Sequence, residues 1–430
     1  FTQIPNYWLD EWTAEDKGTY INLVKYNGSQ TSVFVPPWYT GKQVQGIPGA
    51  FSGNTTITSV VIPNAVWNMN DTFNGCTSLV NAPVLPSELT SMRTTFMGCT
   101  NLAAAPAIPA KVTDMYHTFF KCSSITAAPA IPNGVTSMWA TFADCTSLKT
   151  ASAIPNSVTE CTSVYQNCSS LTAMPTIGTR VTNMYAAFYG CTSMASATAI
   201  PNSVTNLNYA FQSCTSLTIP PTIGSSVQTM VAAFNGCTAL TYSPVIPDSA
   251  TDLSYAFQNC TSIDWCGAWG NSVTNAYCAY NGCTSMRWGP YVPNSVTNMY
   301  GMFCNCSAML TAPGISTSAT NVELAFANCY ALAGSLTVPG ATTNINQAFF
   351  NCVALGVVYI QNTEAALPGD ANSFKTWGAE VKHFWMNDWT ATTESDGVHL
   401  TWYKGNKTYV DRIPDTWYGT AVVALDHTFA

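Results

Sequence analysis

VTNMYAAFYGCTSMASATAIPNSVTNL, residues Val181–Leu207, spans one full period, and the start of the next, of a pattern that runs through most of the chain. Val181, Met184, Phe188, Cys191 and Met194 follow one another at spacings of 3, 4, 3 and 3, which places them on one face of a helical or 3-10 turn. The Ala/Pro-rich run after them, ending at Ile200-Pro201, predicts a short extended segment that the proline terminates. Thr182 stands where an N-cap hydroxyl would start the turn.

Outward from this stretch, cysteine marks the period. Cys76, Cys99, Cys122, Cys145, Cys168, Cys191, Cys214, Cys237, Cys260, Cys283, Cys306, Cys329 and Cys352 are each 23 residues from the next. A fixed period of this size is the mark of stacked supersecondary units. An aromatic precedes every ladder cysteine by three residues, from Phe73 to Phe349, with Tyr165 and Tyr280 substituting. The residue before it is small in most copies, as at Ala187 and Ala210, which lets neighbouring coils approach. One unit cannot bury its own apolar face, so each stacks on the next. The expected fold is therefore a repeat solenoid of 23-residue units, each with a short strand and a helical or 3-10 turn, around a Cys/Phe/Met/Leu core.

The cysteine column has two readings, metal or disulfide chemistry against a buried thiol ladder. One cysteine per coil gives a line rather than a tetrahedral cluster, which favours the structural ladder, with no metal or cofactor. Cys161 occupies the Met184 column and reads as core, while Cys266, Cys278 and Cys304 lie off the ladder and leave a disulfide among them open.

Composition narrows the function. Of 430 residues, 47% are hydrophobic and 8% charged, against about 25% charged in an ordinary soluble domain. The net charge of −8 argues against a nucleic-acid partner, since no basic patch neutralises phosphates. Surface polarity must come from Thr, Ser and Asn, as on secreted and virion proteins. No apolar run reaches the ~18–20 residues of a membrane span, so membrane insertion is not expected. Phe1 is not an initiator, and the reading expects a processed chain or a piece of a longer one.

The pattern VTxM-xxx-F-xx-C-x-S-L followed by Ile-Pro, as in Val296–Met309 and Cys191–Pro201, resembles the BspA-like leucine-rich repeats and related bacterial surface protein repeats. The lead-in is similar too: Tyr26-Asn-Gly, Val35-Pro36, Tyr39-Thr-Gly41-Lys-Gln-Val44 and Ala50-Phe51 look like the strand pair that opens such arrays. The resemblance covers roughly residues 20–360. It implies a leucine-rich-repeat-like fold and, from where such repeats occur, adhesion or virion roles. The segment between cysteine and proline is one residue longer than in the commonest BspA-like repeat.

A larger duplication links the two ends. Tyr7–Trp12 (YWLDEW) matches Phe384–Trp389 (FWMNDW), and Val35-Pro36, Gly41, Val44 and Phe51 match Ile413-Pro414, Gly419, Val422 and Phe429. Expected domains are thus 1–50, a β-rich opening module; 51–375, the thirteen repeats with a partial first coil; and 376–430, a copy of the opener. Either the polypeptide continues into another array, or the copy caps this one. The first is favoured because Phe1–Asn6 resembles the tail of a preceding coil. Head-to-tail assembly of separate chains uses the same facts.

Candidate sites come from reading the surface by columns. Five residues after the ladder cysteine, small side chains (Asn81, Ala104, Ala127, Thr150, Ala173, Ser196) later give way to Tyr242, Trp265 and Trp288. Asp264 and Arg287 stand beside the tryptophans, with Tyr291 near. Aromatic rings flanked by a charged pair suit a glycan, whose C–H faces pack on rings while hydroxyls meet the polar rim. The alternative is a buried aromatic ladder. A second column holds Tyr116, Trp139, Tyr185, Tyr277 and Tyr300, read as ordinary surface aromatics or a self-association face. Catalysis is not expected: His117, His383, His399 and His427 show no metal-ligand spacing, Asp248 and Asp252 have no partner base, and Asp264 with Arg287 offers only a weak lyase-like pair. Asn-x-Ser/Thr triplets occur at Asn54, Asn167, Asn259 and Asn305, the last two expected in turns beside the core. The sequence thus points to a non-enzymatic extracellular, cell-surface or virion-borne binding protein for a glycan or host surface protein, or to a fibre subunit that associates end to end.

Overall fold

Between Met184 and Cys191 the backbone sends its amides in two directions. The N–H groups of Met184, Ala186, Phe188 and Gly190 donate forward to the carbonyls of Asn206, Asn208, Ala210 and Gln212 in the next coil, at 2.8–3.0 Å. The N–H groups between them stay inside the coil: Ala187 donates to Met184, Tyr189 to Ala186 and Cys191 to Phe188, at 3.1–3.2 Å. Every donor in the segment is paired, as burial requires.

Of the expected helical or 3-10 turn, only single i to i+3 turns are present. In this computed structural model the stretch is a chain of i to i+3 turns, and no helix occurs among the described residues. The reason is a left-handed residue after each turn. Ala186 (φ 51°) and Gly190 (φ 72°) mark the two positions, and the first is filled elsewhere by Thr94, His117, Ala140, Tyr209 and Leu324, all with positive φ. Each left-handed step stops a right-handed run from propagating: the left-handed residue sends its own N–H to the next coil, and the N–H that follows closes a turn within the coil. The cap also shifts by one residue. Asn183 Oδ1 accepts from the Tyr185 N–H at 3.0 Å, while the Thr182 hydroxyl donates to the Thr159 carbonyl one coil back.

Side chains are described for residues 10–361, and beyond them the structure describes the backbone of five strands between Glu380 and Leu425. The chain divides into two units, residues 1–262 and 263–430. The first opens with β1 (Trp12–Asp16), β2 (Ile21–Tyr26), β3 (Ser32–Phe34), β4 (Trp38–Tyr39), β5 (Lys42–Gly46) and β6 (Ser59–Val61), and carries β7 (Tyr242–Ser243) near its end. Four of these form a sheet in the order β1-β2-β5-β4. From Gly46 a column of parallel bridges runs through Asn68, Ser91, Asp114, Ser137, Glu160, Asn183, Asn206 and Thr229 to Asp252, so β5 is the template on which the coils stack.

The second unit holds β8 (Trp265–Cys266), β9 (Gly334–Val338), β10 (Leu355–Ile360), β11 (Glu380–His383), β12 (Trp389–Glu394), β13 (Gly397–Tyr403), β14 (Thr416–Trp417) and β15 (Thr420–Leu425). The same bridge column runs Asn275, Asn298, Asn321, Asn344. Its last sheet has the order β12-β13-β15-β14. Pairings in the two four-stranded sheets correspond: Trp12↔Tyr26 with Trp389↔Tyr403, and Ile21↔Val44 with Val398↔Val422. The bulge at Thr13/Ala14 recurs at Thr390/Ala391. Phe1–Asn6, expected as the tail of a coil, lies outside the described residues.

The core is built of columns. In the first unit the rings from Phe51 to Phe257 stack at 5.2–5.7 Å between centroids. In the second, Tyr280, Phe303, Phe326 and Phe349 stack at 5.5–5.9 Å. The two tyrosines find partners for their hydroxyls: Tyr165 donates to the Ser152 carbonyl at 3.4 Å, and Tyr280 accepts from Trp269 Nε1 at 3.2 Å. The ladder cysteines do more than fill space. Cys191 Sγ donates to the Tyr165 carbonyl one coil back at 3.1 Å, and the same bond recurs from Cys76 to Cys260 and from Cys306 to Cys352. That carbonyl already accepts the N–H of its own coil's cysteine, so the thiol satisfies its second lone pair. All seventeen cysteines are buried free thiols, Cys266, Cys278 and Cys304 among them.

Burial pushes the Cys145 and Cys237 thiols up to about 12, so at mildly alkaline pH they stay protonated and unreactive. Iodoacetamide should leave the ladder unlabelled in the native protein and label it fully in guanidinium, read by mass spectrometry. Labelling of Cys145 or Cys237 at the same rate in both states would refute a closed ladder.

Candidate functional site

Strand alternation aims the predicted tryptophan outward. In β8, Cys266 is buried and Trp265 is 59% exposed. Trp288, bridged in parallel to Thr311, is 45% exposed, and Tyr291 is 73% exposed. Both tryptophan rings face solvent, which removes the reading of a buried aromatic ladder for them. Tyr242 belongs to the first unit, where it sits half-buried in β7 beside the buried Ser243.

The 23-residue period puts Asp264 and Arg287 in one column on successive coils. Arg287 Nε donates to Asp264 Oδ1 at 2.7 Å and Nη2 pairs with Oδ2, a two-pronged contact that fixes the guanidinium plane. Hydrogen bonding to Arg287 holds the Asp264 carboxyl below the usual carboxylate range. The guanidinium carbon lies 4.6 Å from the Trp288 ring centre. Asp264, Arg287 and Trp288 are thus joined by direct contact, with Trp265 and Tyr291 as exposed rings of the same two coils.

In the second column Trp139 and Tyr185 are exposed, and Tyr116, Tyr277 and Tyr300 are half-buried. Tyr277 stacks on Tyr300 at 4.6 Å and Tyr116 meets Trp139 edge-on at 5.8 Å, both across coils, while Tyr185 meets Tyr209 of the adjacent position edge-on at 5.3 Å. Sequence reading missed what gathers around Tyr116. Arg93 stands one period before it, and its guanidinium carbon lies 4.0 Å from the Tyr116 ring centre. The signal was present in the column register, which places Arg93, Tyr116 and Trp139 in line.

Other candidates have structural duties. Asp252 Oδ1 accepts from the Ser254 N–H and hydroxyl at 2.8 and 2.6 Å, capping a turn. Asn259 and Asn305 adopt positive φ just before ladder cysteines, in the turn expected of them. Among the described residues no three His, Cys, Asp or Glu side chains cluster to hold a metal, and no helix is long and apolar enough to cross a membrane. The side chains of His383, His399 and His427 lie outside the described residues.

The family model of the BspA type leucine-rich repeat region, which describes six repeat copies at a time, matches residues 48–172, 140–264 and 254–375. This chain belongs to the BspA-type leucine-rich repeat family. Among solved structures, the BspA-type chain is similar to a leucine-rich repeat protein from Bacteroides ovatus, at 18% identity over 87% of this chain and 98% of that one, with a TM-score of 0.59. That likeness is one of fold. A leucine-rich cell surface protein from Faecalibacterium prausnitzii matches at 21% identity over 82% of this chain and 94% of that one, with a TM-score of 0.46. No curated protein matches the sequence.

In this BspA-type array Arg287 shields one face of Trp288 without supporting the core. Arg287→Ala should leave the thermal midpoint unchanged, because exposed ion pairs add little, and should raise acrylamide quenching of tryptophan fluorescence. A lowered midpoint with unchanged quenching would make the pair structural.

Proposed function

We propose that this chain is a non-enzymatic recognition module, displayed outside the cell or on a virion, that holds a glycan or a host surface protein on the face built by Trp265, Trp288, Asp264, Arg287 and Tyr291. The carrying observation is the pair of solvent-facing indoles beside a guanidinium already locked by Asp264. A preoriented arginine and rigid rings lose little conformational freedom when a ligand arrives. Sugar C–H faces pack on the indoles, and hydroxyls accept from the guanidinium edge. Tyr242, the remaining member of the sequence column, stands in the first unit, and the reading does not need it. Membership of the BspA-type family supports adhesion as the general role, and an uncharged hydroxyl-rich surface supports an extracellular place. The net charge of −8 speaks against nucleic acid.

Trp265→Ala with Trp288→Ala should abolish capture on a glycan array or a panel of surface proteins while circular dichroism and thermal midpoint stay put. Capture undiminished in the double variant sinks the site.

A second reading, a fibre subunit that associates end to end, draws on the shared strand order and register of the two four-stranded sheets. Negative-stain electron microscopy over a concentration series distinguishes them. Filaments that lengthen with concentration favour the fibre subunit; monodisperse particles at every concentration count against it.

A further inference from the structure

The strongest unassigned feature lies in the first unit, on the surface after the buried Met92, Met115 and Met138. Arg93, Tyr116 and Trp139 follow these methionines one period apart and so stand in line on three successive coils. The Arg93 guanidinium carbon lies 4.0 Å from the Tyr116 ring centre, and Trp139, 46% exposed, meets Tyr116 edge-on at 5.8 Å. His117, in the left-handed region at φ 52°, stacks flat on Tyr116 at 4.1 Å and 5°. Phe120 continues the run at 5.0 Å from His117, and Lys121 Nζ closes it 5.1 Å from the Phe120 ring centre. Rings therefore form a continuous surface with a guanidinium at one end and an ammonium at the other.

We propose that this surface is a second binding site, distinct from the tryptophan pair, and that it takes an anionic oligosaccharide whose ring faces lie on Tyr116, His117 and Trp139 and whose acidic groups meet Arg93 and Lys121.

Three observations carry it. Cations are scarce: residues 51–360 contain only Arg93, Lys111, Lys121, Lys149, Arg180 and Arg287 as fixed positive charges, and two of them meet here beside the sole histidine of that span. Arg93 is tethered but not consumed. Its Nη1 lies 3.7 Å from Asp114 Oδ2, a single long contact, unlike the two-pronged grip on Arg287. An arginine stacked on a ring and held on one side keeps its remaining donors free for a carboxylate or sulfate. Finally, the chain carries a net −8, so an anionic polymer is repelled by the molecule at large and favoured only where cations gather. Aromatic packing for stability alone accounts for the ring contacts but gives no role to a cation at each end.

The proposal does not rest on the Trp265–Trp288 reading, and the two fail separately. Calorimetric titrations of the purified chain would use four probes: an oligogalacturonate, a sulfated oligosaccharide, a neutral cello-oligosaccharide and polyglutamate. Saturable binding of either acidic sugar is expected, weakened by added salt; which one binds distinguishes carboxylate from sulfate recognition. The neutral sugar and polyglutamate should not bind here. Arg93→Gln and Trp139→Ala should each weaken the acidic sugar by about tenfold, with Lys149→Gln, an exposed cation outside both faces, leaving it unchanged. Three outcomes overturn the site: neither acidic sugar binds, binding persists in Arg93→Gln and Trp139→Ala, or polyglutamate binds as well as the sugars.

Discussion

The alternation of amide direction between Met184 and Cys191 is the constraint on which the rest depends. One N–H in two must reach the next coil, and the other must close a turn. Only a backbone with left-handed steps at fixed places can do both, so every coil is obliged to follow the same path. Once the path is fixed, identical side chains fall in line. The phenylalanine column stacks because the coils leave each ring 5.2–5.7 Å from the one before in the first unit. The thiols reach the aromatic carbonyls for the same reason. A non-glycine residue in the left-handed region costs something each time, and a complete set of buried hydrogen bonds offsets it.

Hydroxyls extend this logic to the surface. Thr113, Thr136, Thr182 and Thr205 each donate to the carbonyl of the preceding coil's threonine, and in a second column Ser169 donates to the Thr146 carbonyl and Thr192 to that of Ser169. Inside, Thr95, Thr118 and Thr141 donate to the carbonyls of Met69, Met92 and Met115, a place later taken by alanine. An array wetted by hydroxyls already engaged with its own backbone can do with few charges. Those few then stand out wherever they occur, as at Asp264–Arg287 and around Arg93.

Most of the architecture was legible because it is periodic. The cysteine, aromatic and methionine columns, and the burial of Cys161 in the methionine column, follow from spacing alone. The turn was not. A spacing of 3, 4, 3 and 3 fits a helix as well as a chain of turns, and the residues that break the helix include Ala186, Tyr209 and Leu324, which give no hint of positive φ. Only the second left-handed position, filled by Gly190, Asn167 or Asn305, carried a signal. The thiol bond was hidden because its acceptor is backbone. For the sites, spacing paired Asp264 with Arg287, but the outward face of Trp265 depended on strand alternation at β8. Arg93 is one cation in a column of rings, and only its resting place 4.0 Å from the Tyr116 ring centre ties it to that surface.

The hydroxyl of Tyr280 has a consequence for how such an array finds its native state. Coils this alike invite a slipped pairing, in which one coil docks on its neighbour's neighbour and most contacts still form. Stability alone discriminates poorly against that error, because a slipped stack of rings and thiols is nearly as good as the correct one. A phenol matched to a particular side chain is different. Tyr165 donates to a backbone carbonyl that every coil repeats, whereas Tyr280 is matched to the indole of Trp269, which no other coil carries at that place. Displaced by a coil, the Trp269–Tyr280 pair is parted and a buried N–H loses its acceptor. Such an irregularity serves as an index mark, and proofreading of the stack falls to the positions where the repeat departs from itself.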